Sequence, residues 1–113
     1  MIGHLLNRTV HLWREERTET GSGGWIVDWV PKGARKARLS QPSASERIVA
    51  EQAGASLDAR FYFADGTDVH RGDRLYDGAA VYRVAAVVVP SEPGVYRRAD
   101  CEHIQTEGGR PDG

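Results

Sequence analysis

Between Ala37 and Glu51 the chain reads Ala-Arg-Leu-Ser-Gln-Pro-Ser-Ala-Ser-Glu-Arg-Ile-Val-Ala-Glu. A strand-like segment ends at Pro42, and a helix start follows at once. Ser43 and Glu46 form a Ser-x-x-Glu capping box, in which the serine hydroxyl takes an orphan amide of the first turn and the glutamate reaches back to the cap's own amide. Ile48, Val49, Gln52 and Ala53 give a short amphipathic helix, and Gly54 supplies a left-handed stop. The spacing predicts a helix over about residues 44–53, three turns at most. A helix that short needs a sheet to lie on. Any fold for this chain must therefore receive one brief helix between strands.

The rest reads as strand and turn. Thr9 to Arg17 alternates around Val10 and Leu12, which predicts a first strand. Thr18 to Gly24 is polar and glycine-rich and reads as a loop. Trp25 to Val30 is apolar around Asp28, and Pro31 closes it; basic residues then lead into a strand through Ala37 and Leu39. Leu57, Ala59, Phe61 and Phe63 share one face of a cleanly alternating strand, with Asp58, Arg60 and Tyr62 on the other. Ala64 to Asp68 is a turn cluster, Arg71 to Tyr76 a short strand, and Asp77-Gly78 a tight turn. Val81 to Val89 is the most β-prone stretch, and its apolar run from Ala85 implies burial on both faces. Pro90 to Gly94 turns the chain, and Val95 to Thr106 returns as a last strand. The predicted fold is mainly β: a small antiparallel barrel or sandwich of about six strands, with one inserted helix and a long loop in the N-terminal half. One domain spans 1–106, and 107–113 reads as a flexible tail.

Composition narrows the function classes. A chain of 113 residues holds one modest core, and a net charge of −1 with acidic and basic residues well mixed makes the whole surface no magnet for nucleic acid. The single cysteine, Cys101, permits no internal disulfide and fits synthesis in a reducing cytoplasm. The segment from Met1 to Val10 lacks the apolar core of a signal peptide, and the apolar run from Ala85 to Pro90 is too short to span a bilayer, so no membrane partner is expected.

No reaction chemistry emerges from the pattern. His4, His11, His70 and His103 fall at no metal-ligand spacing, so no metal or other cofactor is expected. Cys101 and His103 would share a strand face, but a small core thiol explains Cys101 better than a nucleophile. The run Gly21-Ser22-Gly23-Gly24 lacks the Gly-Lys-Ser/Thr ending and the following helix of a phosphate loop. The chain reads as a non-enzyme. Two features invite an interaction role. Trp25 and Trp29 share a strand face in a segment too short to bury both indoles, so core packing and a partner interface both stand. Lys32, Arg35, Lys36 and Arg38 form either a solvated basic edge, a subunit contact, or a positive rim toward DNA.

The order of these elements resembles the head–tail joining (head closure, or stopper connector) proteins of long-tailed bacteriophages. The resemblance rests on Ala37-Arg38-Leu39, Gln41-Pro42, Ser45-Glu46, Arg60-Phe61-Tyr62-Phe63, the Gly72-Asp73-Arg74 turn, Asp77-Gly78, Tyr82-Arg83-Val84 and a closing strand near Ala99 to Gln105. It implies a structural virion protein of the neck, made in the bacterial cytoplasm. Copies would form a homo-oligomeric ring below the portal, retain the packaged DNA non-specifically, and dock the tail. Neighbours would be the portal or an adaptor ring above and a tail terminator or tail tube protein below. By position, Thr18 to Lys32, with Thr18, Gly21, Gly23, Gly24, Trp25 and Trp29, is the candidate channel or interface loop. Lys32, Arg35, Lys36 and Arg38 are candidate subunit contacts. A tail-completion or adaptor role in the same neck is the nearest alternative. A small barrel that stacks nucleic-acid bases on Phe61, Tyr62, Phe63, Tyr76 and Tyr82 is the alternative from another class.

Overall fold

A computed structural model describes residues 8–92 and 95–104. His4, the last two residues of the expected closing strand and the expected tail at 107–113 lie outside the described residues. Six strands, β1 (Arg8–Glu19), β2 (Trp25–Ser40), β3 (Ala59–Phe63), β4 (Arg74–Asp77), β5 (Ala80–Val88) and β6 (Arg97–Ile104), are joined by one helix, α1 (Ala44–Gln52), between β2 and β3. They close into a barrel in the order β1-β2-β3-β6-β5-β4, every neighbouring pair antiparallel. The expected choice between barrel and sandwich falls to the barrel.

Alternation fills the interior. Val10, Leu12, Ala37, Ala59, Phe61, Phe63, Leu75, Val84, Ala99 and Cys101 point inward and are buried. Phe61 and Phe63 are fully enclosed, as the strict alternation of their strand requires. Each such ring contributes about 1.5–3 kcal/mol by leaving water. A second, smaller cluster joins Trp13, Tyr76 and Val81, with the Trp13 and Tyr76 rings edge to face at 6.4 Å. The connection from β4 to β5 is two residues long, and Gly78 opens it at φ 59, which an L side chain adopts poorly.

Two expectations fail here. The stretch from Ala85 is not buried on both faces: Ala85, Val87 and Val88 are half-buried, and Ala86 and Val89 are exposed. A bulge between Val84 and Ala86 on β5 breaks the alternation that would carry the run inward. The second concerns the long N-terminal loop. Only Thr20 to Gly24 connects the strands; Thr18 belongs to β1, and Trp25 to Lys32 belong to β2. Pro31 does not end the strand because the register shifts beside it: Leu12 faces Gly33 while Trp13 faces Pro31. Lys32 is the extra residue of this bulge, and a proline without an amide is tolerated at such a site.

The helix carries both of its expected caps. The Glu46 amide donates to Ser43 Oγ at 3.2 Å, and the Ser43 amide donates to Glu46 Oε1 at 3.1 Å. At the other end Gly54 takes φ 79, its amide donates to the Glu51 carbonyl, and the Ala55 amide donates to the Ala50 carbonyl. This is the paired hydrogen bonding of a Schellman stop. The expected burial of its apolar stripe does not occur: no residue of α1 is buried, and Ile48 and Val49 are more than half exposed.

Candidate interaction surfaces

β1 meets β4 only through His11 to Trp13, and β2 meets β3 only through Ala37 to Ser40. Beyond those points the two strands pair with each other alone, from Arg14 with Val30 out to Glu19 with Trp25. They form a two-stranded arm standing off the barrel. The bulge at Lys32 marks where it leaves, and a bulge bends and twists its strand there. Arg35 braces the bend: its Nη1 donates to the carbonyls of Lys32 (2.9 Å) and Ala34 (3.1 Å).

Trp25 and Trp29 do lie on one face, and the structure separates their roles. Trp29 sits at the base of the arm, half-buried against the Trp13–Tyr76–Val81 cluster, with the Arg74 guanidinium 4.1 Å from its ring centre. Trp25, at the tip, is 63% exposed, and Ile26 and Val27 beside it are about half exposed. Gly21 and Gly23 turn the connection at φ 83 and 89. Gly24 accepts the Thr20 amide at 3.0 Å, and Thr18 pairs with Ile26.

The basic cluster is not one patch. Lys32 pairs with Glu16 at 2.8 Å, and Arg35 is spent on backbone carbonyls, so both belong to the base of the arm. Lys36 and Arg38 point away from the barrel interior. Lys36 donates to Thr9 Oγ1, and Arg38 lies over the Tyr62 ring at 5.9 Å. By register Arg38 neighbours Tyr62, Tyr62 neighbours Arg98, and Arg60 neighbours Asp100. Tyr96 packs edge to face on Tyr62 at 5.2 Å. Together these residues make a basic and aromatic wall across β2, β3 and β6. Sequence reading missed it because its members come from three separated segments. The alternation of Arg60 and Tyr62 opposite Phe61 and Phe63 was the local sign.

Between the arm and the barrel lies a charged cleft lined by Arg14, Glu15, Arg17, His70, Arg71, Gly72 and Asp73. Asp73 is the one fully buried charge among the described residues. Arg14 grips it through Nε and Nη2, both at 2.9 Å, and the His70 amide donates to it at 2.7 Å. Hydrogen bonding to Asp73 holds the Arg14 guanidinium protonated well beyond its ordinary range, and Arg14 in turn lowers the Asp68 carboxyl below the usual carboxylate range. The arrangement is a brace between β1 and the turn before β4. Cys101 is enclosed in the core, and burial pushes its thiol far up, so it offers no thiolate at neutral pH. His103 is exposed and packs against Tyr82 rather than on the thiol.

What remains outward is protein surface: an apolar arm tip, an apolar helix stripe, and a basic and aromatic wall whose cations outnumber its carboxylates. These are features of an assembly part. No curated protein matches the chain. The phage head completion protein family matches residues 1–104, nearly the whole chain and every described strand. The chain belongs to the phage head completion protein family, and its part in building the phage is a structural one at head closure.

Proposed function

We propose that this chain is the repeating subunit of a connector ring that sits below the portal, retains packaged DNA and offers the tail its docking surface. Family membership supports the head-closure role, and the arm carries the finer reading. The barrel itself is closed; the unpaired strand edges lie on the arm, where β1 beyond Trp13 and β2 before Ala37 pair only with each other. The arm also carries large exposed apolar side chains, Trp25, Ile26 and Val27, at its tip. A two-stranded ribbon is marginally stable alone, so an arm of this kind gains most when something covers it.

The test is electron microscopy of particles from phage with an early stop codon in this gene. Heads that have lost their DNA beside finished tails are the expected result. Filled, stable heads with undocked tails would move the subunit to tail completion or an adaptor position. Normal infectious virions would overturn the connector reading.

The base-stacking alternative finds less support. Phe61, Phe63 and Tyr76 are buried, and Tyr82 is half-buried beneath His103. Only Tyr62, beside Arg38, remains of the aromatics it needs.

A further inference from the structure

The arm tip and the helix stripe lie at opposite ends of one strand. β2 has sixteen residues, about 50 Å of extended chain, and the long axis of the described residues is 46 Å. Trp25 begins β2 at the tip. Ser40 ends it beside Arg60, to which α1 is tied through the Glu46–Arg60 ion pair. The arm cannot bend back to cover its own helix. Two unlike surfaces at opposite ends of one chain are what a head-to-tail contact between copies requires.

Charge agrees. On the arm beyond Arg14, the carboxylates Glu15, Glu16, Glu19 and Asp28 meet only two cations, Arg17 and Lys32, which pair with Glu15 and Glu16. Glu19 and Asp28, flanking the apolar tip, form no ion pair among the described residues. On the wall, Lys36, Arg38, Arg60 and Arg98 face two carboxylates, Asp100 and Glu46. The arm has an excess of two negative charges and the wall an excess of two positive ones. An acidic, apolar tip is also poorly suited to lie against the phosphates of channel DNA.

We infer that the arm of one copy seats on the β2–β3–β6 wall of the next, with Trp25 and Val27 toward Ile48 and Val49, and Glu19, which shares their face, toward Arg38 and Arg98. This contact rests on the ring reading and names the surfaces that would join its subunits. Repeated around an axis, it closes a ring without any strand exchange.

The experiment uses particles carrying Val27→Cys together with Arg38→Cys, bridged by a short bis-maleimide; the native Cys101 is buried and silent. A ladder of multimers from the double variant, absent from either single variant, is the expected result. A parallel sample of wild-type particles is fixed with glutaraldehyde. Homo-multimers with glutaraldehyde but no ladder with the cysteine pair would overturn this contact and leave the ring reading standing. No homo-multimers by either route would overturn both. Salt-sensitive retention of the purified chain on DNA, lost in Arg38→Glu/Arg98→Glu, with no ladder, would assign the wall to nucleic acid instead.

Discussion

The two halves of the β1–β2 hairpin share a backbone ladder and differ in everything else. In the barrel half, Val10, Leu12 and Ala37 are fully buried, and each strand has a second neighbour. In the arm half, every residue from Glu16 to Asp28 is exposed, including a tryptophan, an isoleucine and a valine. The apolar residues of the first half hold the chain together, while those of the second add little to its own stability. A chain that spends large hydrophobic side chains where they cannot stabilise it marks a surface meant for another molecule.

If that division is right, substitutions in the barrel should cost stability and substitutions in the arm should not. The largest loss is expected for Phe61→Ala, which empties the centre of the core; about 3–5 kcal/mol is the usual cost of such a cavity. Urea unfolding checks it, and a loss under 1 kcal/mol would mean the interior is not packed around that ring. Asp73→Ala comes next, at about 2–4 kcal/mol, because it strands the half-buried Arg14 guanidinium and the His70 amide together. Asp73→Asn, which keeps the shape and one acceptor, should recover part of that loss.

These effects also show where the sequence was readable. Phe61 and Phe63 announce themselves, because period-two alternation between a helix stop and a turn cluster admits one interpretation. The capping box was equally local, and both of its hydrogen bonds are present. The arm was not readable. Its strand pairs join residues on either side of a glycine-rich stretch, so the polar Thr18 and Glu19 looked like loop until partners were found for them. Pro31 looked like a terminator because the bulge that excuses it depends on register against β1. The Arg14–Asp73 brace spans 59 positions, and nothing beside Asp73 in the chain points to its partner. Local signals reveal what a residue does within its element; which elements meet is set by closure of the barrel.

A smaller effect tests the helix, which belongs to the exposed side of the comparison. Ser43→Ala should cost about 1 kcal/mol of helix stability by removing the cap. Acid should weaken the same cap. The Ser43 amide, with Arg60 second, holds the Glu46 carboxyl below its ordinary range. A lowered carboxylate contributes fully above its unfolded value and loses that contribution as pH falls through the folded one. The helical circular dichroism signal should fade below the ordinary glutamate range while near-ultraviolet signals of the buried aromatics persist. Loss of both together would show that α1 and the barrel are one cooperative unit.

The smallest effect on stability is the most telling. Trp25→Ser and Val27→Ser remove large side chains from a surface that nothing covers in the free chain, so their unfolding midpoints should stay within about 0.5 kcal/mol of wild type. The same variants should fail to complete heads, because the cost falls on the assembled state alone. The pairing of an unchanged midpoint with lost particles is what separates an interface side chain from a core one. A large fall in midpoint would put Trp25 in a packed environment and return the arm to the barrel's own stability. Normal particles from a stably folded Trp25→Ser/Val27→Ser double variant would instead mean that the apolar tip meets no partner at all.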